Sequence, residues 1–233
     1  MPHQLTPTER AGPAVQAMFG AIARRYDLAN HFLSGGLDYL WRWKVARLIR
    51  KWLPQSILDM ATGSGDLALT LHRACPEALI VGADFCHPML QEARRKGLKY
   101  LITADALQLP FEDTKFDVVT VAFGLRNMAS WEAALAEMRR VLRKGGHLVI
   151  LDFSLPEAPF RWVYRPYLHF VLPRLAGWLT GEKAAYEYLG DSIEQFPRGP
   201  AMCTLLAQAG FAETTFEPLS AGIVALYTGC RAE

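Results

Sequence analysis

Residues 57–66 read Ile57-Leu58-Asp59-Met60-Ala61-Thr62-Gly63-Ser64-Gly65-Asp66. An apolar run ends in a glycine-spaced turn of small residues, with an acid on each side. Ile57, Leu58, Met60 and Ala61 read as a buried parallel strand. Gly63 and Gly65 let the backbone turn sharply and come close to a ligand. A helical pattern follows from Leu67 to Arg73. This is the first strand-turn-helix unit of a doubly wound sheet, where nucleotide-like ligands bind at the carboxyl ends of the strands.

Two cofactors fit such a turn. Gly63, Gly65 and Ala68 satisfy a dinucleotide fingerprint loosely. Asp59 and Asp66 argue the other way, because a carboxylate beside a pyrophosphate meets like-charge repulsion. The same acids attract a cofactor with a sulfonium and a free amino group, so S-adenosylmethionine is expected over NAD. Asp59 would equally close the turn, and Asp66 would equally open the helix as an N-terminal acid.

Outward from this unit, strands are expected over 56–61, 79–84, 100–103, 116–122 and 147–153. Helical patterns over 67–73, 88–96 and 131–142 separate them. Continuous Val/Ile/Leu strands alternating with helices indicate a parallel sheet covered on both faces. Two further strands, 211–217 and 223–228, are joined by Pro218-Leu219-Ser220-Ala221-Gly222, a link short enough to allow only an antiparallel pair. The expected fold is therefore α/β with a Rossmann-like, seven-stranded, mostly parallel sheet whose last strand is antiparallel, helices lying on both faces. That is the plan of class I methyltransferases. One domain is expected over 1–233, with an amino-terminal helical cap (1–53) and an insertion (154–198) over an acceptor pocket. The insertion carries Phe160, Trp162, Tyr164, Tyr167, Phe170, Leu172, Leu175 and Trp178. Its apolar character suggests a greasy acceptor, and loops of this length usually carry function.

Composition narrows the classes. The 233 residues suffice for one sizeable core. A net charge of +2 does not indicate nucleic-acid binding. Cysteines 75, 86, 203 and 230 stand singly, without zinc-ligand spacing or a disulfide pattern, so no metal is expected. The start lacks the apolar core of a signal peptide, and no uncharged apolar run reaches a membrane span, so a cytoplasmic protein is expected. Residues 37–53 form an amphipathic helix, with Leu37, Leu40, Trp41, Val45, Leu48, Ile49 and Trp52 on one side and Arg42, Lys44, Arg47, Arg50 and Lys51 elsewhere. Interfacial helices look like this, and so do packed surface helices, so peripheral contact with the inner face of a membrane stays open.

Three constellations carry the chemistry. Asp84 ends the second strand, nineteen residues after Gly65, where an acid accepts from ribose hydroxyls. The alternative is a helix cap before Pro88. Asp105 and Ala106 follow the third strand, where the acid can accept from the adenine amino group and the next N–H can donate to the ring; the alternative is an Asx turn. After the fourth strand come Phe123-Gly124-Leu125-Arg126-Asn127. Arg126 and Asn127 are expected at the carboxyl edge facing the methyl donor. There Arg126 would stabilise a phenolate or hold an activating water, and Asn127 would orient an oxygen. Alternatively Arg126 pairs locally and Asn127 caps the helix at Trp131.

Together these pieces resemble a known family. The segments 25–30 (RYDLAN), 58–66 (LDMATGSGD), 104–111 (ADALQLPF), 116–127 (FDVVTVAFGLRN), 186–197 (YEYLGDSIEQFP) and 222–226 (GIVAL) are similar, in order, to the menaquinone/ubiquinone biosynthesis C-methyltransferases. The resemblance runs from about Met18 to Gly229. It implies methyl transfer from S-adenosylmethionine to a ring carbon of a polyprenylated quinol, giving menaquinol from demethylmenaquinol or the methylated benzoquinol precursor of ubiquinone. Cofactor positions carry over to Ser64, Asp84, Asp105 and Ala106, with Tyr26 and Asp27 closing the pocket from the amino-terminal helix. The family's turn usually has Thr where Ser64 stands, which keeps the hydroxyl. Ala122 replaces a serine cofactor contact, Gly20 replaces an acid, and Tyr227 stands where a histidine is common. The rival expectations are a methyltransferase for another small apolar acceptor, an NAD-dependent oxidoreductase, and a cofactor-binding subunit without activity.

Overall fold

The structure is a computed structural model that describes residue 31, residues 34–174, residue 177 and residues 183–232. Tyr26, Asp27 and Gly20 lie outside the described residues, as do Leu175 and Trp178 of the insertion.

β1 (Ser56–Met60) is buried along its whole length, as a strand covered on both faces must be. It pairs in parallel with β2 (Leu79–Asp84) and with β4 (Phe116–Ala122). β3 (Leu101–Thr103) extends the sheet beyond β2, and β5 (Leu142–Phe153) extends it beyond β4, again in parallel. β7 (Val224–Arg231) runs antiparallel between β5 and β6 (Phe211–Leu219), giving the order β3-β2-β1-β4-β5-β7-β6. This is the sheet the sequence predicts, including the reversed last strand. Chain order runs outward in opposite directions from β1 and β4, so a crevice opens above their carboxyl ends.

The period of two divides the core. Leu58, Met60, Val119, Val121, Leu148 and Ile150 face one side. There they meet Leu135 and Met138 of a helix over Trp131–Val141, and Met202 and Leu206 of a helix over Pro200–Gln208. Ile57, Val118, Val149 and Leu151 face the other side. These pack on Trp41, Val45 and Ile49 of α1 (Leu37–Arg50) and on Leu67 and Leu71 of α2 (Asp66–Ala74). A third helix, α3 (His87–Arg95), follows β2. The helix at Trp131 is α4, with the Ser130 hydroxyl accepting from the Ala133 N–H. Asn127 is therefore not its cap.

Two sequence expectations change. α1 buries Asp38, Trp41, Arg42, Val45, Ala46 and Ile49, while Leu37 and Leu40 are exposed. The inward stripe is thus centred on an Asp-Arg pair one turn apart, which an apolar count assigns to the outside. The insertion is not a loop but largely helical. It contains α5 (Phe160–Pro166), a π turn (Tyr167–Val171) and α6 (Lys183–Gln195), and α7 is the following Pro200–Gln208 helix. Leu168, Leu172 and Ile193 form a small separate core with Leu155, while Phe160, Trp162 and Phe170 stay exposed.

Candidate active site

A cavity of about 340 Å³ lies over the carboxyl ends of β1, β2 and β4. Its floor is the 57–66 turn. Gly65, at φ +86°, tucks so close to α3 and the turn after it that an added Cβ would sit 3.1 Å from the Ala93 Cβ and 2.3 Å from Leu98 Cδ1. Gly63 faces open space, so the crevice wall there is bare backbone. Ala61 and Phe123 also have left-handed φ values, +49° and +58°, and both line the cavity. Strain at non-glycine residues gathers where a ligand must be met closely.

The acids expected from sequence converge here. Asp59, Asp66, Asp84 and Asp105 all line the cavity, with Gly63, Ser64 and Ala106. Asp59 is fully buried and accepts from the hydroxyls of Thr120 (2.6 Å) and Thr62 (2.7 Å). Burial pushes its pKa up to about 6, and the neighbouring Asp84 adds to that rise. Asp84 accepts from the Gly63 and Cys86 N–H groups, each at 2.8 Å, and burial raises its pKa too. Each carboxylate oxygen keeps a lone pair for a hydroxyl donor. Asp105 accepts from the Leu107 N–H at 2.9 Å, which is an Asx turn, and it lines the cavity at the same time. The Asx turn expected as the alternative is present, and it leaves Asp105 in the cavity wall. Asp66 opens α2 and accepts from Lys96 at 2.6 Å.

Arg126 and Asn127 separate. Asn127 lines the cavity, and its side-chain oxygen is buried without a protein partner, as an acceptor for a ligand donor would be. Arg126, expected to face the methyl donor, is turned inward and only 3% exposed. Its guanidinium donates to Asp152 Oδ1 at 2.7 Å and to the Phe123 carbonyl, and it lies 5.3 Å from the centre of the Phe153 ring. The local pairing that the sequence left as an alternative is what the structure shows. Asp152 is fully buried, and burial lifts its pKa despite that partner.

A second cavity of about 460 Å³ adjoins the first. Trp41, Phe123, Phe153, Phe160, Tyr164, Tyr167 and Leu168 form much of its wall, so the described part of the insertion shapes this chamber. Among the described residues, none of the insertion lines the first cavity. Arg42 and Phe123 line both. Arg42 donates to Asp38, and its other terminal nitrogen lies 3.4 Å from Asp66. Asp38 also accepts from Ser34 (2.7 Å) and meets His31 (2.5 Å). Burial opposes its ionisation, but the Ser34 and Arg42 bonds hold the carboxyl below its usual range.

Sequence reading missed Arg42, Asp38 and Phe123 as site residues. The available signal was the Asp38/Arg42 spacing of one helical turn on an otherwise apolar face, since charges placed there must find partners. The side chains of the first cavity suit S-adenosylmethionine: the buried Asp59 and the half-buried Asp66 for a cationic amino-acid end, the buried Asp84 at the ribose position, and an orphaned acceptor at Asn127.

Residues 6–231 match the model of the ubiE/COQ5 methyltransferase family. A demethylmenaquinone methyltransferase of Thermus thermophilus is 49% identical over 92% of this chain and 100% of its own length. A ubiquinone/menaquinone biosynthesis C-methyltransferase UbiE of Syntrophotalea carbinolica is 41% identical over 95% of this chain and 96% of its own. Among solved structures, a SAM-dependent methyltransferase of Thermotoga maritima superposes with a TM-score of 0.67 at 20% identity, covering 92% of this chain and 99% of that one. This last likeness concerns the fold.

Proposed function

The chain belongs to the ubiE/COQ5 methyltransferase family, and from that premise we propose that it converts demethylmenaquinol to menaquinol. It is an S-adenosylmethionine-dependent C-methyltransferase of quinone biosynthesis. The observation that carries the choice of acceptor class is the pairing of two chambers. An acid-lined crevice meets an aromatic chamber, and among the described residues Arg42 and Phe123 are common to both walls.

Bound in the crevice, S-adenosylmethionine supplies an electrophilic methyl group on a sulfonium. Asp59, Gly63, Ser64 and Gly65 hold its amino-acid end in this reading, Asp84 holds the ribose, and Asp105 and Ala106 hold the adenine. Tyr26, the further cofactor position that the family resemblance implies, lies outside the described residues. The aromatic chamber takes the reduced ring and excludes water, which strengthens every electrostatic contact on it. Asn127 orients an oxygen from the shared edge. Arg126 acts from behind the wall, fixing the Phe123 carbonyl and the Phe153 ring. Contact with the inner face of a membrane belongs to the proposal, because the acceptor carries an isoprenoid tail. The exposure of Leu37, Phe160 and Val163 at the chamber supports it.

The test is transfer of label from S-adenosylmethionine to short-tailed demethylmenaquinone kept reduced, with the product read by mass spectrometry. One methyl on the quinone ring is expected. Label on a benzoquinol precursor alone would move the assignment to the ubiquinone branch, and label on neither would end it.

A further inference from the structure

We infer that Arg42 is a further catalytic residue, the cation that receives the phenolate oxygen of the acceptor, with Asp38 beside it relaying the hydroxyl proton to His31. This rests on reading the aromatic chamber as the acceptor site. Among the described residues lining that chamber, Arg42 is the one cation and Asp38 the one carboxylate. Arg42 also lines the cofactor crevice, so its guanidinium stands at the boundary the methyl group must cross. An aromatic carbon becomes nucleophilic when the adjacent hydroxyl ionises, and in an apolar chamber that charge needs a fixed counter-charge. Arg126 is already engaged by Asp152 and lines neither chamber. Asn127 is neutral. Arg42 has five N–H donors, of which Asp38 and Asp66 draw on two directions, leaving donors for a third oxygen.

The step balances within the site. The acceptor hydroxyl's proton passes across the Asp38 carboxylate to His31, which is partly exposed and bonded to it, and the oxygen keeps the electron pair beside Arg42. The adjacent ring carbon then takes the methyl: a carbon–carbon bond forms as the carbon–sulfur bond breaks, its pair remaining on sulfur. The hydrogen on that ring carbon leaves as a proton to the oxygen, which restores the aromatic quinol. His31 then releases that proton to solvent, which leaves Asp38 a carboxylate throughout. One proton is released per methyl transferred.

Three measurements on the full chain test this. The first uses the wild type with a nitronaphthol, a phenol whose anion absorbs in the visible. Bound without methyl donor, it titrates lower than in water by about one pH unit or more if a cation faces its oxygen. The second compares Arg42→Met with Arg42→Lys in steady-state kinetics. Arg42→Met lowers kcat by about 10²–10³-fold, the loss expected for one donor to a developing oxyanion, and Arg42→Lys recovers part of it. The third is calorimetry, in which the Kd for S-adenosylmethionine stays essentially unchanged in both variants. If Arg42→Met weakens cofactor binding as much as it lowers kcat/KM, the guanidinium serves the cofactor carboxylate and the inference is overturned. It is overturned equally if the wild type leaves the probe's titration unshifted, a result that needs no variant to fold. A wild type that methylates no reduced quinone would instead remove the functional reading beneath it.

Discussion

Asp59 shows what burial does to a single group in the crevice. Its raised pKa means that the folded, empty protein holds that proton more tightly than the unfolded chain does. Asp59 therefore adds stability as pH falls from about 6 towards its ordinary value of 3.8, and costs stability above that window. A cationic ligand reverses the balance, because it favours the carboxylate. Binding of S-adenosylmethionine at pH 6 should thus release about half a proton, and affinity should fall by up to about tenfold per pH unit below that. Calorimetry in buffers of different ionisation heat measures the release; a proton count of zero at pH 6 would show that Asp59 stays neutral in the complex. Arg126 is the second residue to test. Removing one member of a buried ion pair strands the other, so Arg126→Ala should lose about 3–5 kcal/mol to denaturant. Its Asp152 partner is fully buried. Methyl transfer should be lost while calorimetric cofactor binding persists, since the Arg126 side chain lines no part of the crevice and holds the Phe123 carbonyl behind its wall. Equal loss of cofactor affinity would contradict the placement.

At the scale of elements, α1 carries the most. Trp41 packs edge-on to Phe153, donates from its indole to Ser220 at 2.8 Å, and lines the aromatic chamber. Trp41→Ala should cost about 3–5 kcal/mol, as large-to-small changes in a core do, and should weaken acceptor KM. Denaturation and kinetics on the same sample check both. Trp41→Phe should keep most of the stability. The turn after β4 is equally tight: a Cβ on Gly124 would stand 2.4 Å from the Ala61 Cβ, between the two strained residues of the crevice. Gly124→Ala should therefore weaken cofactor binding more than it changes acceptor KM, which calorimetry beside steady-state kinetics will show. The strands were legible because Val, Ile and Leu dominate β1, β4 and the second half of β5. The acids were legible because Asp59, Asp84 and Asp105 stand at or just beyond the carboxyl end of a strand, and Asp66 at the start of the helix that follows the turn. The face of α1 was not, because Asp38 and Arg42 look solvated until His31, Ser34 and Asp66 are brought round them. The helices of the insertion were hidden by Pro156, Pro159, Pro166 and Pro173, which read as loop.

The whole molecule sets the two chambers on one side of the sheet edge, and the aromatic one faces outward through exposed apolar residues. No sequence pattern joins Arg42 to Phe123; packing of α1 against the end of β4 does. Among the described residues no helix is long and apolar enough to cross a membrane. Yet Leu40, Trp43, Trp162 and Phe170 are exposed on α1 and the insertion, and α1 also presents Arg47 and Arg50. Large apolar side chains in water beside cations fit the headgroup boundary, where apolar area and anionic lipid both contribute. A long-tailed quinol could then enter the chamber from the lipid side without its tail crossing water. The protein should cosediment with vesicles containing anionic phospholipid and do so less at high salt, because the cationic share is screened. Trp162→Ser with Phe170→Ser should lower vesicle binding and methylation of long-tailed acceptor in vesicles, while leaving turnover of a short-tailed acceptor in solution intact. Equal turnover of long-tailed acceptor by the double variant, or wild-type protein left wholly in the supernatant, would detach the chamber mouth from the membrane.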